Sequence, residues 1–182
     1  LEKKFELKKN IVGGDVSDSR EGTFLNRTVT WSEEGYTLSG DDKHVKLLLD
    51  EWGMDTCKGV DNPVSSSSVG DEEEDDSRTL MEVNEAWKFR RGAARINYMA
   101  QDRVDLCVAA QRLSQCMARP RVGDEIALKR TIRYLKNHPT CKMLYCFQGD
   151  NAPLTIMTDS DWAGDTVTRK SKSGGIIRMN SH

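Results

Sequence analysis

Apolar positions follow two different periods along this chain. Thr28-Val29-Thr30-Trp31 and Tyr36-Thr37-Leu38 are β-prone runs, and Glu33-Glu34-Gly35 between them supplies a turn, so Phe24 to Ser39 is predicted as a hairpin. The period then becomes helical. Val45, Leu48, Leu49 and Trp52 fall on one stripe, Asp41 or Asp42 can accept bonds from the first free backbone N–H groups, and Gly53 can end the helix. Three further helices are predicted. Phe89, Ala93, Ile96 and Ala100 form the inward stripe of the first, and Lys88, Arg91 and Arg95 share another face. Leu106, Ala110, Leu113 and Met117 repeat at the same spacing before Pro120 stops the second. Leu128, Ile132 and Leu135 point inward from the third, with Lys129, Arg133 and Lys136 on a neighbouring face ahead of His138-Pro139. After Pro139 the pattern is β-prone again over Met143 to Phe147, Leu154 to Ser160 and Gly174 to Met179, which predicts a small sheet. No internal repeat is visible, which argues against a solenoid or propeller.

Between Pro63 and Asp76 the periodicity lapses into four serines and then Asp71-Glu72-Glu73-Glu74-Asp75-Asp76. Such a stretch buries too little apolar surface to offset ordering entropy, so it reads as a disordered linker, and mutual repulsion disfavours a cation site in six adjacent acids.

Composition adds that the core is lean. Hydrophobic residues make up 37% of the 182 and charged residues 31%, against about 45–50% apolar content in ordinary globular chains. The formal net charge of -2 conceals an asymmetry. Asp41 to Glu85 holds 14 acidic and 4 basic side chains, a net of -10, whereas Lys88 to Lys142 holds 13 basic and 4 acidic, a net of +9. A local excess of that sign attracts phosphate backbones, although a solvated helical surface accounts equally well for the charge alone.

Five cysteines, Cys57, Cys107, Cys116, Cys141 and Cys146, are an odd number without the paired spacing of a zinc site, which points to reduced, partly buried thiols. No window approaches a membrane span of about 20 apolar residues, and the first residues lack a signal-peptide core. The reading is an intracellular, cytoplasmic product. The lack of methionine at position 1 suggests a start that is not the natural N-terminus.

Several stretches resemble the copia-type reverse transcriptase family. They are 24–31, Asp42-Lys43-His44-Val45-Lys46-Leu47-Leu48, Arg90-Arg91-Gly92-Ala93-Ala94-Arg95-Ile96-Asn97-Tyr98-Met99-Ala100-Gln101-Asp102-Arg103, Leu128 to Lys136, and Thr158-Asp159-Ser160-Asp161-Trp162-Ala163-Gly164. They follow one another in family order, a collinearity more specific than any single motif. The resemblance implies a retrotransposon polyprotein piece: a connection or thumb-like region running into the start of a ribonuclease H domain. It makes the remainder of the polyprotein a partner, and a retrotransposon particle a further possible location. In the family, thumb helices track the template-primer duplex, so Arg91, Arg95, Lys129 and Arg133 become candidates for contacts to the backbone of a duplex or an RNA–DNA hybrid. Charge without base readout suits a polymerase that must accept any sequence. The competing reading is that these residues only solubilise exposed helices.

Asp159 matches the first metal-binding aspartate of the ribonuclease H fold. The resemblance implies two-metal hydrolysis with Mg²⁺ in the intact parent enzyme. The family's remaining carboxylates are not matched before His182, and its paired-aspartate polymerase motif is not matched after Leu1, so this chain alone is expected to be inactive and to bind no Mg²⁺ tightly. Asp161 is expected to have a structural or capping role. Val104 replaces the proline that relatives place after Asp102-Arg103, which affects the helix start.

The architecture expected is α+β. Its parts are a palm- or thumb-like segment over 1–62, the linker over 63–80, a helical thumb or connection region over 81–140, and the beginning of a ribonuclease H-like sheet over 141–182. The unfinished sheet should expose apolar faces and lower solubility. Two other function classes remain: a sequence-independent duplex-binding module without chemistry, and an enzyme using Asp159-Ser160-Asp161 to present a divalent ion to a nucleotide sugar. No Gly-rich phosphate loop supports the last, and His44, His138 and His182 have no obvious nucleophile partner.

Overall fold

A computed structural model describes residues 9–65, 78–149, 153–164 and 169–180. The acidic run 71–76 lies outside the described residues, as does most of the expected linker.

The fold is α+β, as the alternating periods predict. Strand β1 (Glu21–Phe24) turns through Leu25 and Asn26, both at positive φ (49° and 61°), into β2 (Arg27–Ser32). This is the two-residue hairpin geometry whose twist matches the flanking strands. A second tight turn leads to β3 (Gly35–Ser39), so the predicted hairpin is present with one extra strand on its outer side. Gly35 has φ 155°, and a Cβ there would run into the carbonyl oxygen of Tyr145. Only glycine permits that approach.

Helix α1 (Lys43–Trp52) ends at Gly53 in the left-handed conformation (φ 60°), whose N–H bonds the Asp50 carbonyl at 3.0 Å. Asp41 rather than Asp42 serves the start: its Oδ1 accepts from the Lys43 N–H at 2.9 Å, and Asp42 pairs with Lys46 at 2.7 Å. Helices α2 (Val83–Met99), α3 (Cys107–Cys116) and α4 (Val122–Asn137) follow. Leu106 belongs to a 3-10 turn over Val104–Leu106 that precedes α3. Ala100 lies beyond α2 and is half-buried, while Ala86, Gly92 and Met99 join the buried stripe.

These helices enclose the core. Leu48, Phe89, Ile96, Leu106, Leu128, Ile132 and Leu135 are fully buried. Each such side chain contributes about 1.5–3 kcal/mol relative to exposure. The loop after α1 is held along α4: the Arg133 Nε donates to the Lys58 carbonyl at 2.7 Å, Lys136 to that of Cys57, and the Thr131 hydroxyl to that of Pro63 at 3.3 Å.

The sheet departs from the sequence expectation. Strand β4 (Lys142–Cys146) does not join the strands that follow it. It pairs antiparallel with β3, Tyr36 facing Tyr145, to give a sheet ordered β1-β2-β3-β4. Phe147 closes this end with an edge-on contact to Tyr36, ring centroids 5.6 Å apart. Strands β5 (Leu154–Ser160) and β6 (Ser173–Met179) form a separate antiparallel hairpin. Leu154, Ile156, Ile177 and Met179 share one of its faces and all are exposed.

Candidate nucleic-acid interface

Three of the four cations singled out in the sequence are brought together around the end of α1. Gly92 lets α2 lie close to it. A Cβ at Gly92 would sit 3.0 Å from Leu128 Cδ2 and 3.3 Å from Trp52 Nε1. Glu51 then accepts from both Arg91 and Arg95, the latter at 2.5 Å. Next to it, the Trp52 ring has the Lys88 ammonium 4.4 Å from its centroid and the Lys129 ammonium 6.0 Å away. Lys129 is also paired with Glu125 at 2.6 Å.

The four cations Lys88, Arg91, Arg95 and Lys129 outnumber the carboxylates paired with them by two. Burial separates their roles. The Arg95 side chain is 17% exposed and acts as a strut between α1 and α2, whereas Arg91 and Lys129 keep 46% and 49% of their surface and can reach a ligand. Arg133 stands apart, engaged with the Lys58 carbonyl. Sequence reading gave Trp52 only a place on the apolar stripe of α1 and missed Trp87. Trp87 is 61% exposed on α2, with the Arg91 guanidinium 5.4 Å from its ring centroid. The i, i+4 spacing of Trp87 and Arg91 was the available signal.

Asp159 sits near the end of β5, exposed, and faces Gly174 in the register, so no side chain of β6 stands opposite it. Asp161 has a structural role, the first of the two alternatives expected: its Oδ1 accepts from the Lys172 N–H at 2.5 Å, and its own N–H donates to the Lys172 carbonyl at 3.0 Å. Among the described residues no group of three or more His, Cys, Asp or Glu side chains could hold a metal ion. A single exposed carboxylate does not fit Mg²⁺, which demands near-octahedral oxygen coordination.

A second polar centre fastens the end of α2. Asp102 is 9% exposed and accepts from the Arg27 Nε at 2.6 Å, linking β2 to the helices. Arg103, 5% exposed, donates to Asp105 at 2.6 Å and to the carbonyls of His138 (2.7 Å) and Pro139 (3.2 Å). The Tyr134 hydroxyl donates to Asp105 at 2.8 Å. Burial opposes ionisation of Asp105, but the hydrogen bonds from Arg103 and Tyr134 outweigh it and hold the carboxyl below its ordinary pKa. Burial and the Asp105 carboxylate push the Tyr134 phenol up. Val104 is exposed at the start of the 3-10 turn, where proline or valine can stand without disturbing this centre.

Comparison with known proteins supplies the context. A retrovirus-related Pol polyprotein from transposon RE2 of Arabidopsis thaliana is 31% identical over 154 residues, which is 83% of this chain and 9% of the polyprotein. The corresponding polyprotein from transposon RE1 of the same plant is 29% identical over 140 residues, covering 77% and 9%. The chain is homologous to a short segment of copia-type retrotransposon Pol polyproteins. An uncharacterized mitochondrial protein of Arabidopsis thaliana, AtMg00810, is 29% identical over 154 residues, 83% of this chain and 60% of that protein. This chain therefore spans a small part of the polyproteins and less than two thirds of the mitochondrial relative. No protein-family model and no solved structure matches it. No helix among the described residues is long and apolar enough to cross a membrane.

Proposed function

We propose that this copia-type Pol segment holds the sugar–phosphate backbone of duplex nucleic acid, including an RNA–DNA hybrid, and performs no chemistry by itself. The observation that carries this reading is the convergence of Lys88, Arg91 and Lys129 beside Glu51 and Trp52, where positive charge exceeds negative by two. Positions 1–62 and 81–140 then correspond to the end of the reverse transcriptase and its thumb or connection region, joined through 63–80. The β5–β6 hairpin corresponds to the opening of ribonuclease H. Asp159 is the ribonuclease H carboxylate matched in this chain.

Two measurements on the 182-residue chain test the reading. Fluorescence anisotropy with a labelled RNA–DNA hybrid of about 20 base pairs should give an affinity that falls steeply between about 50 and 200 mM salt, at about 0.9 logarithmic units per neutralised phosphate. A Lys88→Gln, Lys129→Gln variant should lower that slope by about two. A salt-independent affinity, or a slope unchanged in the variant, overturns backbone binding. With Mg²⁺ added, the wild type and Asp159→Asn should leave the hybrid equally intact; cleavage lost on that substitution would overturn the claim that the chain is catalytically silent.

A further inference from the structure

We propose that Trp87 is a stacking platform for an unpaired base, so that single-stranded nucleic acid or a single-stranded overhang seats on this surface with a base on the indole and its phosphates on the neighbouring cations. The proposal rests on the reading of the surface as a nucleic-acid interface and adds a preference that charge alone does not give.

The indole is free for such a role because the core does not use it. The residues of α2 that face the core are Ala86, Phe89, Gly92, Ala93, Ile96 and Met99, and Trp87 lies off that stripe with 61% of its surface exposed. Val83, one turn earlier, is 81% exposed and extends the apolar ledge. Arg91, one turn later, holds its guanidinium 5.4 Å from the Trp87 ring centroid and is itself fixed by Glu51. An aromatic face is thus set beside a cation whose position is determined by a third group.

Charge complementarity selects the occupant. A purely apolar protein face would bury the Lys88 ammonium with only the Trp52 ring beside it and would strip water from the Arg91–Glu51 and Lys129–Glu125 pairs, at considerable cost. A polyanion carrying aromatic rings satisfies both features at once. Duplex hides its base faces in the stack and offers mainly phosphates, whereas single strands present both groups, and aromatic platforms beside basic grooves are the usual means of holding them. Stacking accepts any base, in keeping with a surface that does not read sequence.

The test compares a labelled oligothymidylate of about 20 nucleotides with a blunt duplex of the same length, by anisotropy, on the wild type, Trp87→Ala and Trp87→Phe. Loss of the indole should weaken single-strand binding about tenfold. Blunt-duplex binding should change less than about twofold, and phenylalanine should retain most of the single-strand affinity. Far-UV circular dichroism of each variant reports whether α2 is intact, and the phenylalanine variant keeps the comparison open if alanine disturbs it. Equal single-strand affinity for wild type and Trp87→Ala, or an equal loss on both ligands, overturns the platform. Salt-sensitive binding of duplex with none of the single strand also overturns it while leaving backbone binding intact. Binding of neither ligand removes both.

Discussion

Arg103 offers the sharpest test of how this fold is held. Arg103→Met keeps the length of the side chain and removes its five donors, so the carbonyls of His138 and Pro139 lose the bonds Arg103 gives them and Asp105 keeps only the bond from the Tyr134 hydroxyl. Removing one partner of a buried pair costs about 3–5 kcal/mol. Asp105 retains 26% exposure and can recover some hydration, so the lower end, about 3 kcal/mol, is expected. With a urea slope of about 2 kcal/mol/M, the midpoint followed by circular dichroism should fall by about 1.5 M. Arg103→Lys should lie between, since an ammonium cannot reproduce the planar fork.

The same centre predicts a pH signature. Asp105 has a folded pKa below its unfolded value near about 3.9. Its stabilising contribution is therefore complete above that value and is lost as pH falls through the lower folded pKa. Without Arg103, burial is no longer offset to the same extent, so the gap between wild type and Arg103→Met should narrow below about pH 4. A midpoint shift under about 0.5 M at pH 7, or a gap unchanged at pH 3, would refute this account.

Two further outcomes are expected. Burial and the Asp124 carboxylate push the Cys116 thiol up to about 12, while Cys107 is exposed, so iodoacetamide at pH 8 should label Cys107 first by mass spectrometry; the reverse order would contradict the packing around Cys116. Ile156→Thr with Ile177→Thr should raise the soluble fraction on expression by breaking the apolar face of the β5–β6 hairpin, and an unchanged fraction would mean that another surface limits solubility.

The helices were legible because burial writes its own period. Leu48, Phe89, Ile96, Leu128 and Ile132 lie on stripes visible in the sequence, and Gly53 marked a helix end that the backbone then required. Strand partners were less legible. Lys142–Cys146 has a β-prone pattern, but nothing local specifies that its neighbour is β3 rather than β5, because the choice is made by side chains distant in sequence. The charge pattern was legible in sign and not in engagement. Arg95 and Arg133 look as available as Arg91, yet one is a strut to Glu51 and the other a clamp on the Lys58 carbonyl, and those acceptors lie on other segments. Asp102 and Arg103 were noticed as part of a familiar run, but their anchoring role depends on Arg27, Tyr134 and the His138 carbonyl, which only folding assembles.

The pairing of β3 with β4 bears on how the protein is made. Tyr36 and Tyr145 face each other although about 110 residues of chain separate them. At a synthesis rate of about 5–20 residues per second, the partner of β3 emerges about 5–20 s after β3 itself. During that interval a strand of sequence Gly-Tyr-Thr-Leu-Ser has an unmatched row of backbone donors and acceptors. Another nascent chain could pair there as readily as β4 does later. The danger to this protein is therefore greatest on crowded polysomes, and slowing initiation, which spaces the ribosomes, should improve its yield more than lowering the temperature after synthesis is complete.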